Sequence, residues 1–196
     1  MPETKPKAGL GSLVVRPLLA GMVAAGAVAP VAAPAAEDLF LKIEGIVGES
    51  TDAKHAKEIV LLSYTQSFMN PVSTTSGGGG GTGKVNCGDV KVTKLVDRAS
   101  PFLIAGVATG KAYPTALITF RKAGKTQIEY YKVTLSEVFL DAITQTDASP
   151  TDATTILEQL SMSAAKFQFE YRPQNADGSM GAAVKFSWDC RANKQG

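Results

Sequence analysis

The segment Ala99–Gly124, ASPFLIAGVATGKAYPTALITFRKAG, decides the fold class. Ser100 offers a capping hydroxyl and Pro101 suits the first helical position. Phe102, Leu103, Val107 and Ala108 fall into an apolar stripe that Gly110 and Lys111 bring to a stop. That punctuation predicts one short helix. Pro114 then forces an extended exit, after which Ala116, Ile118 and Phe120 alternate with Thr119 and Arg121. The Lys-Ala-Gly-Lys stretch that follows turns the chain back into Gln127–Val133, so a single helix is wedged into a run of hairpins.

Beyond the hairpin, Tyr131, Val133 and Leu135 alternate cleanly, and Val138, Leu140 and Ala142 then take the opposite phase, as a bulge or a barrel corner produces. Leu135, Val138, Phe139, Ala142 and Ile143 also fit a helical stripe, and Leu157, Leu160, Ala164 and Phe167 nearly do. The β-branched lead-in Lys132-Val133-Thr134 and the strict alternation of Phe167, Phe169 and Tyr171 favour strands. Asp177-Gly178 reads as a hairpin loop before a closing strand with Val184, Phe186, Trp188 and Cys190 inside and Lys185, Ser187 and Asp189 outside.

Upstream, Asp38–Gly45 alternates Leu39, Leu41 and Ile43 with Phe40, Lys42 and Glu44, a strand with one buried face. Gly48–Lys57 is polar and reads as a long exposed loop. Ile59–Met69 is a second strand with Val60, Leu62, Tyr64 and Phe68 on one face and the hydroxyls of Ser63, Thr65 and Ser67 on the other. Asn70–Lys84, with its run of five glycines, is a long connection, and Val85–Val96 is a strand with Val90 and Val92 inward. Six or seven strands and one helix imply a β-barrel or sandwich.

The chain has 196 residues, 44% of them hydrophobic, enough for one core and one domain. Of its 20 basic and 18 acidic residues, Lys5, Lys7, Arg16 and Glu3 lie in residues 1–36, which leaves the body 37–196 formally neutral. A neutral body lacks the cationic footprint that phosphate neutralisation demands, so nucleic acid is not the expected partner. Residues 1–36 run from a basic start through an apolar Leu18–Val31 stretch to Ala33-Pro34-Ala35. This is signal-peptide grammar, with a disordered extension or a misassigned start as the alternatives. The apolar run is short and weakly hydrophobic, so no stable membrane insertion is expected. Cys87 and Cys190 are the only two cysteines, and they either pair in an oxidising compartment or fill core positions.

Gly78–Lys84, GGGGTGK, fits the first seven positions of a phosphate-binding loop, but Val85 stands where a magnesium-binding hydroxyl belongs and a strand follows instead of a helix. The stretch reads as a flexible loop. His55, the sole histidine, has Asp52 three residues before it but no serine or cysteine fixed beside it, and reads as a solvated surface residue. Glu129, Glu137 and Asp141 look like outer-face carboxylates. No coherent catalytic site, metal site or cofactor site emerges, so the chain is not expected to be an enzyme.

Taken together, Asp38-Leu-Phe-Leu-Lys-Ile-Glu-Gly, Gly48-Glu-Ser with His55-Ala, Gly83-Lys84-Val85, Ser100-Pro101, Gly110-Lys111-Ala-Tyr-Pro114, Arg121-Lys-Ala-Gly124, Tyr171-Arg-Pro-Gln and Phe186-Ser-Trp-Asp resemble the haemolysin-coregulated protein family, Hcp. The resemblance runs from about Asp38 to Arg191. It implies a mainly β fold, an Hcp-like barrel of two sheets with one flanking helix. It also implies a tube subunit of the bacterial type VI secretion system, whose hexameric rings stack into a hollow tube. By position it makes Gly48, Glu49, Ser50, Thr51, Asp52 and His55 a ring-stacking loop, and Ser63, Thr65 and Ser67 candidates for the lumen wall. The implied partners are copies of the chain, secretion effectors carried in the lumen, and sheath and spike proteins. The implied route is secretion after cytoplasmic assembly. Residues 1–36 depart from the family pattern, and no toxin domain is expected beyond Arg191–Gly196. The alternative is an exported periplasmic or extracellular β-sandwich that binds carbohydrate or protein through the glycine-rich arm or the Tyr130-Tyr131 pair.

Overall fold

The computed structural model describes residues 37–71, 83–123, 127–147 and 156–196. The signal-like segment 1–36, most of the glycine-rich connection and its phosphate-loop pattern, and part of the turn after Lys122 lie outside the described residues.

Two long strands form the frame. β8 (Ile128–Asp147) pairs antiparallel with β9 (Ile156–Tyr171), with Val133 opposite Phe169 and Leu140 opposite Met162. The strand reading of this region therefore holds over the helical one. Val133, Leu135, Val138 and Leu140 are all buried, and the inward phase flips at Glu137, which sits at φ 54° in the left-handed region. It flips again at a bulge between Leu140 and Ala142. The second flip corrects the expectation for Ala142, which is exposed, while Ile143 packs on the core.

On one side of β8, β7 (Ala112–Lys122) pairs with it and then with β1 (Glu37–Ile43), which pairs with β2 (Ile59–Leu61). On the far side of β9, its first half pairs with β6 (Val90–Leu95) and its second half with β10 (Val184–Asp189). β6 takes β3 (Ser63–Thr65) as its other neighbour, and β10 ends on a two-residue strand, β11 (Lys194–Gln195). These nine strands form one sheet. The separate pair β4 (Phe68–Met69) and β5 (Asn86–Cys87) makes a second, two-stranded sheet.

The ladder is not continuous around the circuit, but covalent chain joins its ends. β2 belongs to β1, β3 belongs to β6, and Leu62 between them donates its N–H to the Thr93 carbonyl at 2.7 Å. This hand-over shifts the side-chain phase by one residue. Ile59 and Leu61 are buried, Tyr64 packs on the core, and Val60 and Leu62 are exposed instead of inward as expected. Eleven strands occur among the described residues, more than the six or seven expected, because kinks divide Ile59–Met69 and Val85–Val96 and a short terminal strand is added. The mainly β class with one flanking helix is as expected.

Helix α1 (Ser100–Thr109) begins after Ala99 and ends at Gly110, whose φ of 61° lets the Lys111 N–H reach the Gly106 carbonyl. Ser100 is not its cap, contrary to expectation. Nor do Phe102 and Ala108 face inward: Phe102 is 59% exposed, and Ser100, Leu103 and Gly106 form the buried face. Gly106 is required there, since a Cβ would stand 2.5 Å from the Tyr113 hydroxyl and 2.8 Å from Leu140.

The Ser100 hydroxyl serves a buried polar cluster instead. It donates to Glu158 Oε2 at 2.6 Å and accepts from Lys94 Nζ at 3.1 Å, and Lys94 also donates to Glu158 Oε2 at 2.6 Å and to the Leu95 carbonyl at 2.7 Å. Asp97 lies 2.8 Å from Lys94, and Gln145 donates to the second Glu158 oxygen at 2.7 Å. Lys94 and Glu158 are both 0% exposed and Ser100 is buried beside them, so the centre of the cluster is closed off from solvent. Burial alone would push the Glu158 carboxyl up, but the bonds from Lys94, Ser100 and Gln145 outweigh it and hold the group below its usual range. Its stabilising contribution is therefore present above the unfolded carboxylate pKa and is lost as pH falls through the folded one. Glu158→Ala, which strands the Lys94 charge, is expected to cost about 3–5 kcal/mol in urea unfolding, whereas the double change Lys94→Met with Glu158→Met costs much less.

Candidate functional site

The segment between β1 and β2, expected to be a long exposed loop, is folded down onto the sheet. Gly48 starts it by lying against the backbone of Glu58, where a Cβ would meet the Glu58 carbonyl oxygen at 2.3 Å. Reciprocal backbone bonds then close the loop: Gly48 N–H to the Lys57 carbonyl at 2.8 Å, Ser50 N–H to that of Glu58 at 3.0 Å, and Lys57 N–H to that of Ser50 at 2.8 Å. Ser50 is buried. Asp52 organises the tip, where its Oδ1 accepts the N–H groups of Lys54 at 2.9 Å and His55 at 3.1 Å.

The other Asp52 oxygen meets Arg121 of β7, whose Nη2 lies 2.8 Å from Asp52 and 2.9 Å from Asp38 of β1. Arg121 Nε also reaches Asp38 at 3.2 Å, and Nη1 reaches Gln127 at 3.3 Å. The guanidinium stacks over the Phe40 ring, 4.8 Å from its centroid, and Arg121 is buried. Its hydrogen bond to Asp52, together with the Lys54 amide, keeps the Asp52 carboxyl far below the usual carboxylate range.

His55 is buried as well, which corrects the expectation of a solvated surface residue. Its ring stacks on Phe40 with centroids 4.2 Å apart, and Nδ1 lies 2.9 Å from Glu58. Nε2 stands 3.4 Å from Glu129 of β8 without a hydrogen bond. Lys132 pairs with Glu129 at 2.7 Å, and although burial pushes the Glu129 carboxyl up, that pairing brings it below its usual range. Phe40, placed by alternation on the solvent face of β1, is buried because the loop covers it.

Of the residues singled out in the sequence, Gly48, Ser50, Asp52 and His55 thus come together in one clamped loop. Glu49 reaches sideways to accept the Arg98 N–H at 3.1 Å, and Thr51 is exposed. Ser63 and Thr65 are exposed on β3, opposite Thr93 and Lys91 of β6, and Ser67 is exposed beyond them. Cys87 and Cys190 are joined as a disulfide across 103 residues of chain. Among the described residues no group of three or more His, Cys, Asp or Glu is placed to hold a metal, and no helix is long and apolar enough to cross a membrane.

Reading the sequence alone missed Arg121, Asp38 and Phe40 as partners of the loop. The signal for Arg121 was faint: a cation at a position whose neighbours Phe120 and Ile118 face the core. It also missed a row of aromatic rings running from Tyr64 through Phe120, Tyr131, Phe169 and Phe186 to Trp188, with successive centroids 5.1 to 6.4 Å apart.

Comparison with known proteins gives one answer. A sequence profile described as "Type VI secretion system effector, Hcp" matches residues 40–171. Protein hcp1 of Pseudomonas aeruginosa is 40% identical over 162 residues, covering 82% of this chain and 99% of that protein. Among solved structures, "Structure of a type six secretion system protein" is similar with a TM-score of 0.77 at 26% identity, over 82% of this chain and 100% of the other. Hcp1 from Salmonella typhimurium is similar with a TM-score of 0.67 at 30% identity, over 82% of this chain and 99% of that one. With the profile spanning most of the folded body and the identity extending over nearly all of the Pseudomonas protein, this chain belongs to the Hcp family of type VI secretion tube proteins.

Proposed function

We propose that the chain works by assembly, as a subunit that closes into hexameric rings whose stacking makes a tube for secretion effectors. The observation that carries this reading is a pair of unlike apolar faces on one subunit. Helix α1 has no charged residue and exposes Phe102 and Ile104, and strand β10 exposes Val184, at 65%, and Phe186, both of which alternation placed inside. A ring closed by head-to-side contact needs two different faces, one for each neighbour, whereas an isologous dimer needs only one. Patches of this kind on a soluble chain mark contact surfaces.

The clamped loop supports the stacking role. A loop that must meet another ring repeatedly gains from being ordered beforehand, and Arg121, Asp52, Phe40 and His55 fix its shape within the free subunit. The exposed hydroxyls of Ser63, Thr65 and Ser67 suit a lumen wall, since they offer water-like hydrogen bonding without charge. The reading needs no covalent chemistry. Sheath and spike proteins would be the other contacts of the finished tube.

Residues 37–196, purified alone, are expected to run as a hexamer by native mass spectrometry and to show an open centre in electron micrographs. A monomer at micromolar concentration across a range of salt overturns the reading. Arg121→Ala is expected to leave rings intact but abolish their end-to-end stacking, with amide exchange at His55 and Lys57 at least about tenfold faster, while Arg121→Lys restores part of both. The lowered Asp52 pKa sets the sign for pH. Its contribution to loop protection is fully present above the unfolded Asp value of about 4 and declines only as pH falls further, towards its folded value. Loop exchange, corrected for intrinsic rate, should therefore show the same protection at neutral and mildly acidic pH.

A further inference from the structure

The two-stranded sheet β4–β5 stands apart from the main sheet. It has only two rungs, Phe68 opposite Cys87 and Met69 opposite Asn86, with Gly88 N–H closing onto the Ser67 carbonyl at 2.8 Å. Met69 is more than half exposed and Phe68 is partly exposed. Among the described residues, three ties bind this strap to the body. The Phe68 ring packs edge-on against Phe167 and Phe169 at 5.2 and 5.6 Å, the Val85 N–H donates to Asn193 Oδ1 at 2.9 Å, and Cys87 is bonded to Cys190. Cys190 is the firmer partner, since it directly follows β10 and its N–H donates to the Ala165 carbonyl of β9 at 2.9 Å.

We propose that Cys87 and Cys190 form a redox latch, which fastens the β4–β5 strap to the C-terminal strands under oxidising conditions and releases it under reducing ones, the main fold being complete in both states. The independence of the fold follows from the pairing. No rung of the nine-stranded sheet involves β4 or β5, and the buried core is drawn from β1, β2, β6 to β9, the helix, and Ile46 and Ala99 beside them. Both cysteines are half-buried residues at the margin of that core, not sealed within it as Lys94 and Glu158 are. As the only two cysteines of the chain, they have no competing partner within it.

The step balances by thiol–disulfide exchange with a disulfide such as oxidised glutathione. One cysteine thiolate attacks a glutathione sulfur and expels one glutathione thiolate. The second cysteine thiolate then attacks the mixed disulfide and expels the other. The pair loses two electrons and two protons, and glutathione disulfide becomes two glutathione thiols. Reduction by a dithiol runs the same exchange backwards. The latch is proposed for the subunit and does not rest on the ring reading.

The test uses the full chain, equilibrated either with glutathione disulfide or with dithiothreitol, followed by intact mass, far-UV circular dichroism and timed trypsin digestion. Oxidation is expected to remove two hydrogen atoms and leave the β spectrum unchanged. Reduction is expected to speed cleavage after Lys84, at the foot of the strap, by about tenfold or more while β6–β9 stays uncut, because cleavage follows the population of the opened strap. Cys87→Ser and Cys190→Ser should be cut at the reduced rate under both conditions. Loss of the β spectrum on reduction would make the bond a structural staple and overturn the proposal. So would cleavage after Lys84 that does not respond to reduction, or thiols that stay free in glutathione disulfide.

Discussion

The antiparallel pairing of β8 with β9 is the constraint on which the rest of this fold depends. Every other strand of the main sheet is added to one of these two or to a strand they already hold, and α1 packs over Leu140 of the same frame. Two strands of this length cannot stay flat, because strand twist accumulates along them. The interruptions at Glu137 and at Leu140/Ala142 let β8 re-aim its apolar side chains as the sheet curves, so Val133, Leu135, Val138, Leu140 and then Ile143 all reach one core. The bends in β8 are thus part of how the core is enclosed, and β9 changes partner from β6 to β10 along its length for the same reason.

Two buried cations fix what the apolar core leaves free. Hydrophobic burial is not directional, so by itself it would let α1 slide along the sheet and would let the β1–β2 loop stand off in solvent. Lys94 holds the chain around Ser100 through Glu158 and Asp97, and Arg121 holds the loop through Asp52 and Asp38. Buried ion pairs add little net stability compared with well-packed apolar residues, but breaking one leaves a charge without water. That asymmetry makes them effective at excluding alternatives: a loop or helix that moves away strands a guanidinium or an ammonium.

Much of the fold was legible because it rests on local pattern. Helix α1 was readable from Pro101 and Gly110, the β7 face from Ala116, Ile118 and Phe120, and the first phase change in β8 from Leu135 against Val138. What failed depended on tertiary partners. Ser100 has the chemistry of a cap, and only Glu158 and Lys94, brought from distant strands, turn its hydroxyl inward. The phase of Val60 and Leu62 depends on which neighbour the chain pairs with on each side of Leu62, and alternation over so few residues cannot register that. His55, Phe40 and Arg121 each have an ordinary surface reading alone, and become one unit only when β1, β7 and the loop are superposed. The family was recognisable from its scattered motifs taken as a set, and the comparison with Pseudomonas hcp1 bears that out.

Prior ordering also separates this loop from an ordinary polar connection. A contact made by a mobile segment loses side-chain and backbone entropy each time it forms, roughly 1–2 kcal/mol for every residue that is fixed. In a stack of rings that loss would recur at every copy and every layer, and weak individual contacts could not offset it. Here the loop is ordered when the subunit folds. Gly48 allows the close approach at its root, Asp52 holds the turn, and Arg121 joins both to a sheet position already fixed by the core. Under the proposed stacking role, the ordering entropy would thereby be met by folding, which is cooperative, and assembly would rely on the surface complementarity of finished subunits.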